Sequence, residues 1–220
     1  QVSIWDQQDY PLNFKTVKND GRTYTNADPI VGKPINDPVE YKLYYIKLRE
    51  GVGQSPTRVD STLVTYRGHA LDGTQFDYRP NPVWFSQESV VSGWRNIMTE
   101  FKSGNAADDP SNPGGTLLTD YGVGIVFVPS GLGYLNGAPA GSGLSSYSPL
   151  VFTINLHMVK YADNDGDGIL SYLEDLNGNG DYYDDDTDGD GIPNFLDVDD
   201  DGDRTKTRTE IKDAFGNIYP

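Results

Sequence analysis

LVFTINLHMVK, residues 150–160, sets polar residues against a regular apolar beat. Leu150, Phe152, Ile154, Leu156 and Met158 fall on one side of an extended chain, and Thr153, Asn155 and His157 on the other. Successive side chains of a strand point in opposite directions, so this pattern predicts a strand with one face in a core. The preceding segments read the same way. GVGIVFVP (122–129) is a buried strand, and YKLYYIKL (41–48) and STLVTYRGHAL (61–71) carry the aromatic and β-branched residues that suit a half-buried pleat. SVVSGWRNIMTEFK (89–102) differs: Val90, Trp94, Ile97, Met98 and Phe101 recur at three and four residues, the period of an amphipathic helix, with Ser89 or Ser92 as N-cap. Several strands around one helix predict an α+β domain with an antiparallel sheet over residues 39–161. GNAADDPSNPGGTLLTD (104–120) is expected to be an inserted loop, and residues 1–38, broken by Pro and Gly, an N-terminal extension with little regular structure.

The 220 residues suffice for one good core and a smaller satellite, and no apolar run approaches a membrane span. The absence of cysteine excludes disulfides, thiolate nucleophiles and cysteine–zinc sites. A formal charge of −16 would repel phosphate and argues against nucleic acid as a partner. That charge is local. Residues 163–203 hold sixteen acids and no base, while the rest of the chain carries 17 acids against 17 bases.

The acids are spaced. DNDGDGILSYLE (163–174) puts Asp163, Asp165 and Asp167 at positions 1, 3 and 5, Gly168 at 6, Leu170 at 8, Ser171 at 9 and Glu174 at 12. This is the pattern of an EF-hand-type calcium loop, in which alternate carboxylates and the carbonyl of position 7, here Ile169, surround a hard cation. Asp175, Asn177, Asn179, Gly180 and Asp181 open a second loop that closes near Asp186. Asp186, Asp188, Asp190, Gly191 and Ile192 open a third, closing at Asp197. Asp199, Asp201 and Asp203 open a fourth, closing at Glu210, with Arg204 in the glycine's place and Lys206 in that of the apolar residue. The loops nearly abut, leaving no room for flanking helices, and so residues 162–220 resemble the calcium-binding type 3 repeats of thrombospondin. Such modules hold Ca²⁺ at roughly 10⁻⁴ to 10⁻³ M, which implies an extracytoplasmic setting. Without the ion, repulsion should leave the segment disordered.

The commoner catalytic constellations are missing: no nucleophile elbow, no phosphate-cradling glycine motif and no histidine pair at helical spacing. His69 and His157 are expected on solvated strand faces. Asp77 and Glu100 are the one pair of acids that could meet for glycoside chemistry, a weak signal.

Four blocks in order, VTYRGHALDGTQFD (64–77), VVSGWRNIM (90–98), VPSGLGYLNG (128–137) and SPLVFTINLHMV (148–159), resemble the FKBP-type peptidyl-prolyl isomerases. The family's Tyr-x-Gly, Asp-Gly and Phe-Asp appear as Tyr66, Gly68, Asp72, Gly73, Phe76 and Asp77. Its Val-Ile-x-Gly-Trp appears as Val90, Val91, Gly93 and Trp94, and its Pro-x-x-Leu-Ala-Tyr-Gly as Pro129, Leu132, Gly133 and Tyr134, with Leu135 replacing the last glycine. The resemblance implies a half-open antiparallel sheet curled around one helix with an apolar pocket between. Trp94 would be its floor, Tyr66, Phe76 and Phe152 its walls, with Val90 beside them. The Val91 N–H and the Tyr134 hydroxyl would hold substrate carbonyls, and Asp77 would orient a neighbour at the rim. The segment from Asp77 to Trp94 is about two residues short for the family, so Val83 or Trp84 is expected to supply a wall. The rim GAPAGSGLSS (137–146) keeps only Leu144 of its usual paired apolar residues.

The resemblance therefore implies a peptidyl-prolyl isomerase that needs no cofactor for its chemistry, with Ca²⁺ structural in the C-terminal repeats. The expected clients are proline-containing polypeptides in the periplasm, at the outer membrane or on the cell surface. A chain starting at Gln1 rather than Met suggests a removed leader or lipid anchor, and a monomer is expected. Two alternatives stay open: a proline-peptide-binding module without turnover, and a calcium-dependent surface adhesion or assembly protein.

Overall fold

The computed structural model describes residues 9–18 and 39–212. Six strands form one antiparallel sheet: β1 (Leu12–Lys18), β2 (Glu40–Arg49), β3 (Ser61–Ala70), β4 (Gln75–Ser86), β7 (Gly122–Val128) and β8 (Leu150–Lys160), in the spatial order β1-β2-β7-β8-β3-β4. β5 (Asn105–Asp108) and β6 (Thr116–Thr119) pair separately, so the stretch expected to be a plain loop is a hairpin. Its tip is tied by Asp109, whose Oδ1 accepts from the Ser111 N–H and hydroxyl, a local bond that substitutes for ladder pairing. Residues 1–8 and 19–38 of the expected extension, and the tail 213–220, lie outside the described residues. Leu12–Lys18 does not fit the expectation of little regular structure, because it pairs with β2 along its whole length. Its Lys and Asn residues suit an edge strand, which is why it lacks a strong strand signal.

One sheet face carries the core. Leu43, Tyr45, Val64, Tyr66, Val126, Val128, Leu150, Phe152, Ile154 and Leu156 meet Trp94, Ile97, Met98 and Phe101 there. Burying each large apolar side chain stabilises by about 1.5–3 kcal/mol. The helix α1 (Ser92–Met98) is short and wholly buried. Neither serine caps it as expected: Val91 is the N-cap and has no side-chain oxygen, while the Ser92 hydroxyl is already inside and accepts from Asn96. Gly93 lets the helix approach β7, since a Cβ there would stand 2.4 Å from a Val128 methyl.

The alternation of β8 breaks at one residue, and beyond it Val159 rather than the expected Met158 packs against the core. Val64 pairs with Leu156 and Leu63 with Met158, so His157 is the extra residue of a β-bulge. Instead of facing solvent it is buried, its Nε2 3.0 Å from the Thr65 hydroxyl and its ring against Tyr121. Burial first, and Arg49 second, hold its pKa below the ordinary imidazole value. His69 lies partly buried near the end of β3.

After β8 the chain abandons long elements. Among residues 161–212 the only helical turns are short 3₁₀ turns at 171–173 and 194–196 and α2 (Thr207–Glu210). Three loops repeat one set of bonds. The position-5 N–H donates to the position-3 carboxylate at Asp167, Asp190 and Asp203, and the position-7 N–H to the position-5 carboxylate at Ile169, Ile192 and Thr205. Position 6 is left-handed in every loop: Gly168, Gly180, Gly191 and Arg204, the last at φ 78°. A side chain in that region costs on the order of 1 kcal/mol, which only glycine avoids. Arg204→Gly is therefore expected to stabilise the segment by about 0.5–1 kcal/mol; slower amide exchange in residues 199–210 would report it, and unchanged exchange would count against the strain.

The segment lies against the sheet domain. Val59 joins Tyr182 and Phe195 in a second small core, so apolar packing supplements the expected ionic order. Asp60 is fully buried and acts as a hub: its Oδ1 accepts from the Ala162 N–H, its Oδ2 from Thr57, and its carbonyl from the Gln87 N–H. No helix among the described residues is long and apolar enough to cross a membrane.

Candidate active site

A cavity of about 210 Å³ opens between α1, β3, β4 and β8, lined by Tyr66, Asp77, Phe85, Ser89, Val90, Val91, Trp94, Tyr134 and Phe152. Trp94 comes from the helix and is nearly inaccessible. Its ring meets Tyr66 at 5.1 Å and Phe152 at 5.0 Å between centroids, both edge-on, the arrangement that aromatic quadrupoles prefer. Phe76 stands behind the lining, against Phe152 at 5.5 Å and Tyr134 at 6.4 Å. It fits because residue 68 is glycine: a Cβ there would lie 2.7 Å from the Phe76 ring. Leu144 packs partly buried against the core but does not line the cavity.

The wall expected from Val83 or Trp84 is supplied by Phe85. Between Val64↔Val83 and Tyr66↔Arg79 the partner strand spends two extra residues, a bulge around Pro80–Pro82. Beyond it, Val83 and Phe85 share a face by period two, leaving Val83 against the core and Phe85 at the cavity, while Trp84 is 45% exposed. Phe85 and Ser89 were thus missed; strand parity counted back from Ser86 would have found the first.

The polar groups are few. The Tyr66 hydroxyl donates to Asp77 Oδ2, while Asp77 Oδ1 accepts from the Tyr78 N–H at 2.8 Å and lies 3.4 Å from Arg79 Nη1. Burial, then the bond to Asp77 and its charge, push the Tyr66 phenol well above its ordinary pKa. Burial and Asp77 raise Tyr134 as well. Both phenols therefore stay protonated donors across the physiological range. Among the described residues the Tyr134 hydroxyl and the Val91 N–H have no hydrogen-bond acceptor, so both are free to serve a bound carbonyl. Glu100 is engaged elsewhere, with Lys15 and the Tyr45 hydroxyl, and does not meet Asp77. Leu135, in the place of a glycine, adopts φ 48°, and its N–H bonds the Ser130 carbonyl.

Glu88, on the 3₁₀ turn that leads to Ser89 and Val90, is pushed up to about 7 by burial, with Arg95 opposing. The folded state therefore holds this proton more tightly than the unfolded chain, whose carboxyl titrates near 4.5. Stability should fall as pH rises from about 4.5 to 7, and the cost is complete above that window. Glu88→Gln is expected to flatten this slope and to gain about 1–2 kcal/mol at pH 8. Urea melts at pH 5 and 8 decide it; an unchanged slope would remove Glu88 as the cause.

A second set of groups lies in the acidic segment. Asp186, Asp188 and Asp190 converge, as do Asp199, Asp201 and Asp203. Asp165, Asp167 and Glu174 converge too, joined by Asp200, which the loop pattern does not include. Asp163, Asp197 and Glu210 stand outside these groups. Asp175, Asn177, Asn179 and Asp181 bring only two carboxylates and form no such group; Asp175 accepts from the Asn179 and Gly180 N–H groups, as Asp186 does from those of Gly189 and Gly191. Ile169 and Ile192 stand two residues after Asp167 and Asp190.

The family model described as BamM C-terminal matches residues 164–219, the acidic segment. Over 122 residues the chain is 34% identical to the peptidyl-prolyl cis-trans isomerase Mip of Coxiella burnetii, covering 54% of this chain and 45% of that protein. Over 125 residues it is 30% identical to the probable FKBP-type peptidyl-prolyl cis-trans isomerase FkpA of Neisseria meningitidis, covering 56% and 39%. The outer membrane protein MIP of Legionella longbeachae is 28% identical over 123 residues, covering 54% and 45%. The chain spans less than half the length of these relatives. Over about half its own length, the chain is similar in sequence to proteins named as peptidyl-prolyl cis-trans isomerases.

Proposed function

We propose that this protein is a peptidyl-prolyl cis–trans isomerase that acts on X–Pro bonds of extracytoplasmic polypeptides and carries a calcium-ordered C-terminal segment. The observation that carries the reading is the aromatic cavity over Trp94, edged by two donors without acceptors, the Tyr134 hydroxyl and the Val91 N–H. Rotation about an X–Pro bond breaks no covalent bond, so the site needs no nucleophile. The barrier is roughly 18–20 kcal/mol because amide resonance is lost at the twist. A twisted amide is less polarised than a planar one, and a dry wall of Tyr66, Phe85, Trp94 and Phe152 favours it over water. Donors that hold the flanking carbonyls select the twisted geometry over both planar ones. Asp77 fixes the Tyr66 ring through its hydroxyl and so shapes the wall without touching the reacting bond.

Calcium in the C-terminal segment is supported by the chemistry of the donors. The converging groups are all carboxylates, hard oxygen ligands that suit Ca²⁺. The first group includes buried oxygens with no hydrogen-bond donor, a cost that a bound cation relieves. The ion would order the segment and supply no chemistry to the cavity. An extracytoplasmic setting follows from the millimolar calcium such loops require and accords with a relative named as an outer membrane protein.

A second reading, a proline-binding module without turnover, is favoured by the position of Leu144 outside the lining. The test is cis–trans exchange of an Ala-Leu-Pro-Phe peptide followed by NMR. Exchange well above background establishes the isomerase. Binding with unaccelerated exchange selects the module instead.

A further inference from the structure

We infer that Asp200, from the fourth acidic loop, is a ligand to the cation of the first loop, so that one divalent ion pins residues 165–174 to residue 200. The inference rests on the reading that this segment binds calcium and goes beyond the loop pattern, which would place Asp163 in that role.

Four carboxylates, those of Asp165, Asp167, Glu174 and Asp200, bring ligand atoms within 4.8 Å of one another. The cluster is not a solvated acidic face. Asp167 is 1% exposed and Glu174 3%, and both Glu174 oxygens, Asp167 Oδ2, Asp165 Oδ2 and Asp200 Oδ1 are buried without a donor. Unpaired buried carboxylates cost several kcal/mol each unless a counter-charge stands among them. The nearby cation meets this only in part: the charge of Arg208 acts on Asp167, but its Nη1 is spent on the Gly166 carbonyl, 2.9 Å away. A hard divalent cation satisfies the five bare oxygens together, with an oxygen set that suits Ca²⁺.

Asp200 is surplus to its own loop. It sits at position 2, where the first and third loops carry Asn164 and Thr187. The backbone of all three does the same work, donating to the side chain seven residues on: Asn164 to Ser171, Thr187 to Asn194 and Asp200 to Thr207. Of the three, Asp200 alone adds a carboxylate. That carboxylate stands apart from the Asp199, Asp201 and Asp203 group and joins Asp165, Asp167 and Glu174 in a group that does not include Asp163. The run of three aspartates at 199–201 thus serves two sites. The Arg208–Gly166 bond independently holds the same two loops together.

The test is a calcium titration of the full chain, followed by the amide resonances of Gly166 and Gly168 for the first loop and of Gly189 and Gly191 for the third. In Asp200→Asn the calcium midpoint of the first-loop amides is expected to rise about tenfold or more, with third-loop amides unmoved, because ligand charge sets affinity in such sites. Asp163→Asn should shift it by less than about threefold. Asp200→Glu keeps the carboxylate and should recover most of the affinity, and the third-loop amides show that each variant is folded. An unchanged midpoint in Asp200→Asn, or a larger effect of Asp163→Asn, overturns the assignment while leaving calcium binding intact. A wild-type chain whose loop amides ignore calcium removes the underlying reading, and this one with it.

Discussion

Stripping calcium from the full chain with a chelator is expected to melt residues 163–212 and leave the six-stranded sheet folded. The two parts are held by different forces. The sheet domain rests on sixteen buried apolar side chains around Trp94 and Phe101, none of which depends on an ion. The C-terminal segment has two buried ones, Tyr182 and Phe195, packed with Val59 of the sheet domain. Against that small core stand sixteen acids with no base between residues 163 and 203. Two unit charges 4 Å apart still repel by about 1 kcal/mol in bulk water and by about 4 at a protein surface. Folding would also order some fifty residues at a backbone cost of about 1–2 kcal/mol each. Protection of the Ile169, Ile192 and Thr205 amides should fall at least about a hundredfold in chelator, while that of β3 and β8 stays fixed. Salt at about 1 M should restore part of it, because screening then reaches within 3 Å. Full protection in chelator would show that the apolar anchor and the Asp60 hub suffice without a cation.

The legible and illegible parts of this chain divide along physical lines. Strands β2, β3, β7 and β8 and the helix announced themselves because one face of each is buried, and burial writes a period into sequence. β1 and the 105–119 hairpin are edge or exposed pieces whose residues answer to solvent, so no period marks them. Bulges hide for another reason. One extra residue inverts the parity of everything beyond it, and this turned His157 inward. The two extra residues of β4 keep the parity but shift the pairing register, so that Phe85, on the face of Val83, reaches the cavity and Trp84 does not. Of the nine residues expected at the cavity, seven line it, while Phe76 and Leu144 stand behind or beside it. Those two belong to the aromatic and apolar packing that shapes the lining, a distinction that depends on side-chain direction. Asp200 was illegible because its partners lie more than twenty-five residues away, beyond the reach of any loop pattern.

Truncating Trp94 is expected to have the largest effect on the cavity's activity, and the contrast with Tyr134→Phe tells floor from donor. Trp94 is 4% exposed and touches Tyr66, Phe85 and Phe152 with its ring. Trp94→Ala should cost about 3–5 kcal/mol, enough to endanger the fold, so Trp94→Leu is the working variant. Leucine keeps the site apolar but leaves a gap that water enters. The twisted amide then loses the dry surface that favours it, and acceleration of exchange should fall by about a hundredfold, near 2.7 kcal/mol of transition-state stabilisation. Tyr134→Phe keeps every ring and removes one oxygen that bonds nothing in the free protein among the described residues. Its urea midpoint should therefore stay within experimental scatter, and exchange should slow about tenfold, the worth of one hydrogen bond to a bound carbonyl. The pair of measurements separates the two roles. If Trp94→Leu retains wild-type exchange, the cavity over Trp94 is not where the X–Pro bond turns. If Tyr134→Phe loses stability rather than rate, its hydroxyl holds the fold and the Val91 N–H is left as the donor to a bound carbonyl.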